Sequence, residues 1–219
     1  MNAPVLSARE RQSLAQEGFV LLRGVADAGM VQAMREAWTH CMQQPNEVKR
    51  GNNDGPWHLE KEATFRPCLE HPLVMGAVAQ LLEGDVVLLG INGRNPRHGS
   101  GQQGLHVDDS TPAPPDRQRI ANAFWMLDDM DESNGATRLI PGTHRLRRLP
   151  DKALSQPDAR HPQARHIVAR SGDVLVFSAH LWHAGSKNVS GASRRVVMAH
   201  FGRREVAQSR ANPQEMQGA

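Results

Sequence analysis

The stretch Gly104-Leu105-His106-Val107-Asp108 lies near the middle of the chain and places a histidine and an aspartate two positions apart. Along a β-strand, residues i and i+2 point to the same face, so the imidazole of His106 and the carboxylate of Asp108 are expected to point together. Such a pair supplies two thirds of a 2-His-1-carboxylate facial triad, which holds non-haem Fe(II) and leaves positions open for a co-substrate and O2. A lone HxD pair is a weak signal, so the surrounding sequence has to support it.

A third metal ligand has to come from elsewhere in the chain, and the C-terminal half holds three candidates. His180 and His183 follow one apolar run, and His200 lies within the last one. A histidine in the position of His200 is more typical of a hydrogen-bonded core residue than of a ligand. Spacing alone does not choose between His180 and His183.

From Asp85 onward the sequence has the texture of β structure, with short apolar or alternating runs separated by turn residues. The expected strands are Val86–Ile91, Gly104–Asp108, Ile120–Leu127, Thr137–Ile140, His166–Ala169, Val174–Phe177 and Arg195–Phe201. Many short strands after a helical beginning are typical of a sandwich or jelly-roll barrel with helices packed outside. We therefore predict a mainly β fold with N-terminal helices.

The N-terminal part carries start and stop signals for three helices. Ser7 and Glu10 have the spacing of a capping box, which predicts a helix to about Gln16 with Gly18 as its stop. The further expectations are a strand at Phe19–Leu22, a second helix capped by Asp27 with Val31, Met34, Trp38 and Cys41 on its buried face, a loop over Pro45–Pro67, and a third helix at Leu73–Leu82 ended by Gly84.

Composition narrows the class of protein. The chain has 219 residues, 39% hydrophobic and 22% charged, which suits one globular domain. We expect a helical part at 1–84, a barrel at 85–203 and a polar, loosely held tail at 204–219. The net charge of +3 is small for an obligate nucleic-acid binder. No apolar run approaches the ~18 residues that span a bilayer, no secretory signal is recognisable, and two cysteines are too few for a disulfide framework. We expect a cytoplasmic protein without a nucleic-acid or membrane partner.

Two adjacent arginines begin the last predicted strand, and strand alternation sends them to opposite faces. Arg194 is the candidate for the inner face, and Arg195 then points away. A guanidinium inside the barrel can pair through two parallel hydrogen bonds with the distal carboxylate of a dicarboxylic acid. A solvated charge at the edge of the sheet is the alternative, and the sequence alone leaves it open.

Further motifs occur in order along the chain. They are Glu17–Gly24, Gly104–Asp108, Asn134-Gly135, Pro141-Gly142-Thr143-His144, Gly172–Phe177, Trp182–Gly185, Asn188 and Arg194. Together they resemble the phytanoyl-CoA dioxygenase family of Fe(II)/2-oxoglutarate-dependent oxygenases. The resemblance covers most of the chain and implies a double-stranded β-helix, which is a cupin-like jelly-roll barrel.

The resemblance also implies roles for individual residues. The implied iron ligands are His106, Asp108 and His183. The implied contacts to 2-oxoglutarate are Arg194, as anchor of the distal carboxylate, and Trp125, Ser186 and Gln103. For Trp125 the alternative is a plain core residue, and for Gln103 it is a solvated loop residue.

Other histidines receive different interpretations. His144 belongs to the Pro-Gly-Thr-His turn and is expected to be structural. His58-Leu59-Glu60 imitates an HxE ligand pair, but it precedes the barrel strands and we reject it. We expect Trp57, His58, Arg66 and the Pro112–Arg119 loop to border the pocket.

The resemblance implies an oxidoreductase that uses Fe(II), 2-oxoglutarate and O2, with ascorbate as an expected activator. The expected reaction is hydroxylation of a small-molecule metabolite with release of succinate and CO2, and the basic clusters of the chain favour an anionic substrate. The same site also suits cyclisation, desaturation or epimerisation. A non-catalytic metal-binding β-barrel is the alternative from a different class.

Overall fold

The computed structural model describes residues 5–44, 48–49, 53–111 and 118–211. Within these ranges the strands are β1 Phe19–Leu22, β2 Val48–Lys49, β3 Asn53–Pro56, β4 Val86–Pro96, β5 Ile120–Met126, β6 Thr137–Leu139, β7 Arg165–His166, β8 Val174–Ser178, β9 His183–Gly185 and β10 Val196–Arg203. Seven of them form one antiparallel sheet in the order β1-β8-β5-β10-β4-β3-β2, and three form a second in the order β7-β6-β9. This arrangement confirms the predicted jelly-roll architecture.

The helices are α1 Ala8–Glu17, α2 Ala28–Cys41, α3 Pro67–Glu70, α4 Pro72–Leu82 and α5 Arg204–Ala211. Two of the expected caps are present. The side chain of Ser7 accepts a hydrogen bond from the Glu10 amide at 3.3 Å, and the Ser7 amide donates to the Glu10 carboxylate. Asp27 accepts from the amide of Met30 at 2.8 Å. Within the described residues, no helix is both long enough and apolar enough to cross a membrane.

Strand alternation divides the apolar residues into two cores on either side of the large sheet. Ala121, Ala123 and Trp125 of β5 face outward, where they pack with buried residues of α1, α2 and α4. Phe124 and Met126 face inward and pack with residues of the smaller sheet. Because the period of a strand is two, moving one position along β5 exchanges the helix side for the barrel interior.

Strand β4 is longer than predicted. The apolar pattern indicates an end at Ile91, whereas the strand runs to Pro96 and pairs with β10 up to Arg94 opposite Val196. The extension, Asn92-Gly93-Arg94-Asn95-Pro96, is polar, and Asn92 and Arg94 line the cavity described below. A strand whose inner face lines a polar cavity does not show the apolar alternation from which strands are predicted.

The segment Gly104–Asp108 is not a regular strand. It makes a single antiparallel bridge, in which His106 and His183 exchange two backbone hydrogen bonds of 3.0 Å each. The predicted loop over Pro45–Pro67 was also wrong in part, because β2 and β3 extend the large sheet there. The run expected at His166–Ala169 forms a strand only at its beginning, in β7.

The first part of the tail that the sequence predicts to be loosely held is helical, and positions 212–219 of that tail lie outside the described residues. Residues 204–211 form α5, and Val206 is 2% exposed and packs with Ile120 and Ala179. The Arg203 guanidinium donates to the carbonyl oxygen of Leu82 at 2.6 Å, which ties the end of β10 to α4. One apolar residue in a polar helix is a weak sequence signal, yet it anchors this segment.

Candidate metal centre

Three side chains converge where the two sheets meet at the mouth of the barrel. The Nε2 atom of His183 lies 3.3 Å from the carboxylate of Asp108, and the Nε2 atom of His106 lies 3.8 Å from it. One ligand atom from each residue lies within 4.8 Å of the others. Among the residues that the structure describes, no other group of three His, Cys, Asp or Glu side chains has this spacing. The structure therefore selects His183 from the candidate histidines.

Backbone carbonyls orient both imidazole rings. The Nδ1 atom of His106 lies 3.0 Å from the carbonyl oxygen of Gly104, and the Nδ1 atom of His183 lies 2.8 Å from that of Leu181. An Nδ1 atom that donates to a carbonyl leaves the Nε2 lone pair of a neutral imidazole free. The Nε2 atoms of both rings lie within 3.8 Å of the Asp108 carboxylate. The two carbonyl oxygens supply the outer hydrogen bonds that metal-binding histidines require.

The carboxylate of Asp108 is held by a chain of polar side chains. The side-chain amide nitrogen of Asn122 donates to it at 2.7 Å, and the side-chain oxygen Oδ1 of Asn122 accepts from Nδ1 of His200 at 2.8 Å. Burial raises the pKa of Asp108. The charge and hydrogen bond of His183, together with the charges of the other histidines, outweigh burial and hold the pKa well below its ordinary value. Asp108 is thus an anion that faces two imidazole nitrogens.

The donor set fits a divalent transition metal. Two imidazole nitrogens and one carboxylate oxygen make up the facial triad of non-haem Fe(II) sites. Burial lowers the pKa of His106, and the neighbouring His183 lowers it further, which favours the neutral imidazole that a metal needs. Burial also lowers the pKa of His183, but the charge of Asp108 outweighs it and raises the pKa overall. A bound metal cation would take the place of the proton that His183 shares with Asp108.

A cavity of about 240 Å³ opens beside the triad. Its walls come from the inner faces of β4, β5 and β10, from the HxD segment and from β9. The wall residues used below are Asn53, Trp57, Arg94, Gln103, Phe124 and Arg194. The cavity thus joins the triad to two arginines.

Arg194 and Arg195 diverge as strand alternation predicts. Arg194 is 4% exposed, lines the cavity, and its Nε atom is buried without a hydrogen-bond partner among the described residues. Burial, and then the charge of Arg94, lower the pKa of Arg194 to about 9. Arg195 instead forms a two-pronged ion pair with Asp128, with both nitrogen–oxygen distances at 2.8 Å. One arginine is neutralised by the protein, whereas the other faces the cavity without an anion.

The sequence profile of the family Phytanoyl-CoA dioxygenase (PhyH) matches residues 14–196. The chain belongs to the phytanoyl-CoA dioxygenase family. Among curated relatives, Dioxygenase af480 of Aspergillus fumigatus is 29% identical over 169 residues, which cover 76% of this chain and 53% of the relative. The Fe(II)/2-oxoglutarate-dependent dioxygenase nvfF of Aspergillus novofumigatus is 26% identical over 216 residues, which cover 86% of this chain and 68% of the relative. The chain spans about half the length of the first of these relatives.

A solved structure shows the same fold. HygX from Streptomyces hygroscopicus, determined with nickel and 2-oxoglutarate bound, superposes with a TM-score of 0.78 at 18% identity. The superposition covers 92% of this chain and 88% of HygX. The double-stranded β-helix that the resemblance implies is thereby confirmed.

Gln103 and Ser186, which the family resemblance also singled out, differ in their relation to the cavity. Gln103 lines it, and its side-chain carbonyl accepts from the amide of Gly185 at 2.9 Å, which ties the HxD segment to β9. The hydroxyl of Ser186 is buried and has no partner among the described residues, but Ser186 is not a wall residue of the cavity. The structure therefore brings Gln103, and not Ser186, to the cavity beside the triad.

Trp125 is not brought to the cavity. It is 1% exposed and packs on the helix side of β5, with its ring 5.9 Å from that of His71. The residue of β5 that reaches the cavity is Phe124, one position earlier. An offset of a single residue reverses the face of a strand, so the resemblance identified the element but not the side chain.

The other polar residues of the sequence analysis lie elsewhere. Asp109 is buried and pairs with Arg119 at 2.9 Å, and His180 donates to the carbonyl oxygen of Thr111 at 2.9 Å, so neither belongs to the triad. His144 is buried in its turn, as expected of a structural residue. His58 contacts Glu60 at 3.1 Å, away from the cavity.

The expected rim of the pocket is confirmed only in part. Trp57 lines the cavity, whereas His58 and Arg66 do not. Positions 112–117 of the expected Pro112–Arg119 loop lie outside the described residues.

Several wall residues were missed by the sequence analysis as parts of the site, and four of them bear on its chemistry. They are Asn92, Arg94, Phe124 and His200. Of these, His200 carried a usable signal, because it lies an even number of positions from Arg194 along the last strand and therefore shares its inner face. His200 was interpreted as a core residue, but it is half-buried and faces the cavity.

Proposed function

We propose that this chain is an Fe(II)- and 2-oxoglutarate-dependent dioxygenase that hydroxylates a small-molecule metabolite. The observation that carries the proposal is the buried guanidinium of Arg194, which faces the same cavity as the His106, Asp108 and His183 triad without an anion to pair with. A buried cation without a partner is costly in free energy. A bound dicarboxylate with one end at the metal and the other at Arg194 removes that cost.

The proposed roles follow from the geometry. His106, Asp108 and His183 hold Fe(II) through two nitrogens and one oxygen. Arg194 binds the distal carboxylate of 2-oxoglutarate through its planar fork. Bound Fe(II) and 2-oxoglutarate supply the activation of O2, with release of succinate and CO2.

Other parts of the chain keep the site in place and limit its access to water. Asn122 holds Asp108 in one orientation through a 2.7 Å hydrogen bond. Phe124 lies on the apolar inner face of β5, and its ring is 4.9 Å from that of Phe177. Packed rings on the floor of the cavity exclude water, which strengthens the charged interactions above them.

Cyclisation, desaturation and epimerisation use the same triad, so the site supports them as alternative outcomes of one chemistry. A non-catalytic metal-binding barrel fits less well, because it gives no reason to keep Arg194 buried without an anion. We also propose a cytoplasmic location, which is supported by the buried thiols of Cys41 and Cys68, because these form no disulfide bond.

The test is a succinate-release screen over a metabolite library, with added Fe(II), 2-oxoglutarate, O2 and ascorbate. The expected result is succinate formation that depends on iron and on one or a few compounds. The mass of the product then separates the outcomes, because hydroxylation adds one oxygen, cyclisation and desaturation remove two hydrogens, and epimerisation leaves the mass unchanged. Iron-independent release of succinate would contradict the proposal.

A further inference from the structure

A second arginine lines the cavity, and the proposed function assigns it no role. Arg94 lies on the inner face of β4, opposite Val196 of β10, and its side chain lines the cavity. No hydrogen bond or ion pair to Arg94 is found among the residues that the structure describes. Burial lowers the pKa of Arg94, and the charge of Asp108 only partly opposes this. Arg94 is therefore a second desolvated cation without an anion.

The charge of Arg94 acts both on Arg194 and on the histidines of the triad. Its charge lowers the pKa of Arg194 on one side and the pKa values of His106 and His183 on the other. Arg94 thus lies within reach of both the co-substrate anchor and the metal triad.

The charges of the proposed complex leave Arg94 in excess. Fe(II) carries two positive charges, Arg194 adds one, and Asp108 subtracts one, which leaves two. The 2-oxoglutarate dianion cancels these two charges. Arg94 then contributes one further positive charge in a desolvated cavity, where charges are rarely left unpaired. One more anion is needed to complete the site.

Resting on the proposed function, we propose that Arg94 binds a carboxylate of the substrate and makes the enzyme specific for organic acids. Its guanidinium presents the paired donors that match a carboxylate. Two neighbours on the cavity wall fit the rest of such a molecule. The indole of Trp57 is 40% exposed at the rim, and the side-chain oxygen of Asn53 is buried without a partner among the described residues. These two residues offer an apolar surface and a hydrogen-bond acceptor beside the arginine.

The test compares a charged probe with a neutral probe of the same shape. Wild type and Arg94→Gln are loaded with Fe(II) and saturating 2-oxoglutarate under argon and titrated with benzoate or benzamide by calorimetry. Saturating 2-oxoglutarate keeps the probes away from Arg194. Wild type is expected to bind benzoate at least about 10-fold more tightly than benzamide, since a charge-assisted pair is worth a factor of this size. Arg94→Gln is expected to bind both probes alike.

Two further variants control the comparison. Arg97→Gln removes an exposed arginine that pairs with Asp54 outside the cavity, so it should keep the preference of wild type for benzoate. Arg94→Lys keeps the charge but loses the fork, so it should retain part of the preference. It also provides the test if Arg94→Gln does not fold, which its melting temperature would reveal.

The outcomes separate this inference from the proposed function. Equal binding of benzoate and benzamide by wild type overturns the inference alone. An Arg94→Gln variant that keeps the preference for benzoate but binds 2-oxoglutarate about 10-fold more weakly also overturns it, because Arg94 would then serve the co-substrate. Failure of wild type to bind 2-oxoglutarate when iron is present overturns the proposed function, and the inference falls with it.

Discussion

Replacing Arg194 by methionine should raise the stability of the ligand-free protein and weaken the binding of 2-oxoglutarate. A pKa near 9, well below the ordinary value of a guanidinium, corresponds to a penalty from burial and from the charge of Arg94 of roughly 5 kcal/mol at 1.36 kcal/mol per pH unit. Methionine retains the aliphatic stem, but the lost contacts and the remaining cavity offset much of the gain. We expect a net gain of about 1–2 kcal/mol, or roughly 2–8 °C in melting temperature.

The loss of co-substrate binding follows from the same geometry. A hydrogen bond to a charged group contributes roughly 1.5–3 kcal/mol, so Arg194→Met should weaken the binding of 2-oxoglutarate at least about 10-fold. Iron binding should change little, because Arg194 is not part of the triad. This variant should show a higher melting temperature together with weaker binding of 2-oxoglutarate. That combination distinguishes a binding residue from a structural one.

The pH dependence has a definite sign. Because the folded-state pKa of Arg194 is depressed to about 9, the unfolded chain keeps a proton that the folded protein releases between that pH and 12.5. The penalty in wild type is therefore fully present below about pH 9 and fades as the pH rises above it. The stability advantage of Arg194→Met should shrink over the same range.

The assay is thermal unfolding with and without 2-oxoglutarate, together with calorimetric titration of the iron-loaded protein. Arg195→Met is the matched control. It breaks the two-pronged pair with Asp128, so it should lower the melting temperature and leave 2-oxoglutarate binding unchanged. A larger loss of 2-oxoglutarate affinity in Arg195→Met than in Arg194→Met would refute the reasoning.

Three other predictions, made with five variants, test the metal centre and the packing. His183→Ala should lose the bound iron, about one per chain in a facial triad, whereas His180→Ala should keep it; metal analysis showing the reverse would exchange their roles. Asp108→Ala should lose iron, while Asp109→Ala should retain it and melt at a lower temperature because it loses an ion pair. Gly18→Ala should lower the free energy of unfolding by about 1–3 kcal/mol, because Gly18 has a φ of +83° and a Cβ there would lie 2.4 Å from a buried imidazole. Urea denaturation measures this loss, and an unchanged midpoint would contradict the packing.

The sequence predicted the parts of the fold that depend on local signals. The capping box at Ser7 and the apolar run of β5 both correspond to the structure. The end of β4 could not be predicted, because Asn92 and Arg94 are polar residues whose neighbours across the cavity come from distant parts of the chain. Helix α5 was missed because the sequence offers little apolar pattern there, and its described buried apolar anchor is Val206.

The candidate site was predictable where chemistry restricts the residue type. Only a few side chains bind iron or a carboxylate, so His106 and Asp108 could be proposed from the sequence, and Arg194 could be proposed once the family resemblance was added. The wall of the cavity admits many residue types, and there the face of the strand decides. The sequence analysis named Trp125, whereas the cavity is lined by its neighbour Phe124. An error of one position is therefore enough to miss a wall residue.

The most direct test of the central claim is the release of labelled CO2 from 2-oxoglutarate labelled at its C1 carboxylate. The measurement is made in air with Fe(II), in the presence of the compound that the succinate screen selects, on wild type and on His183→Ala. The account predicts release by wild type that requires both iron and that compound, and only background release by the variant. Equal release by the two proteins, or none from a folded, iron-loaded wild type, would contradict it.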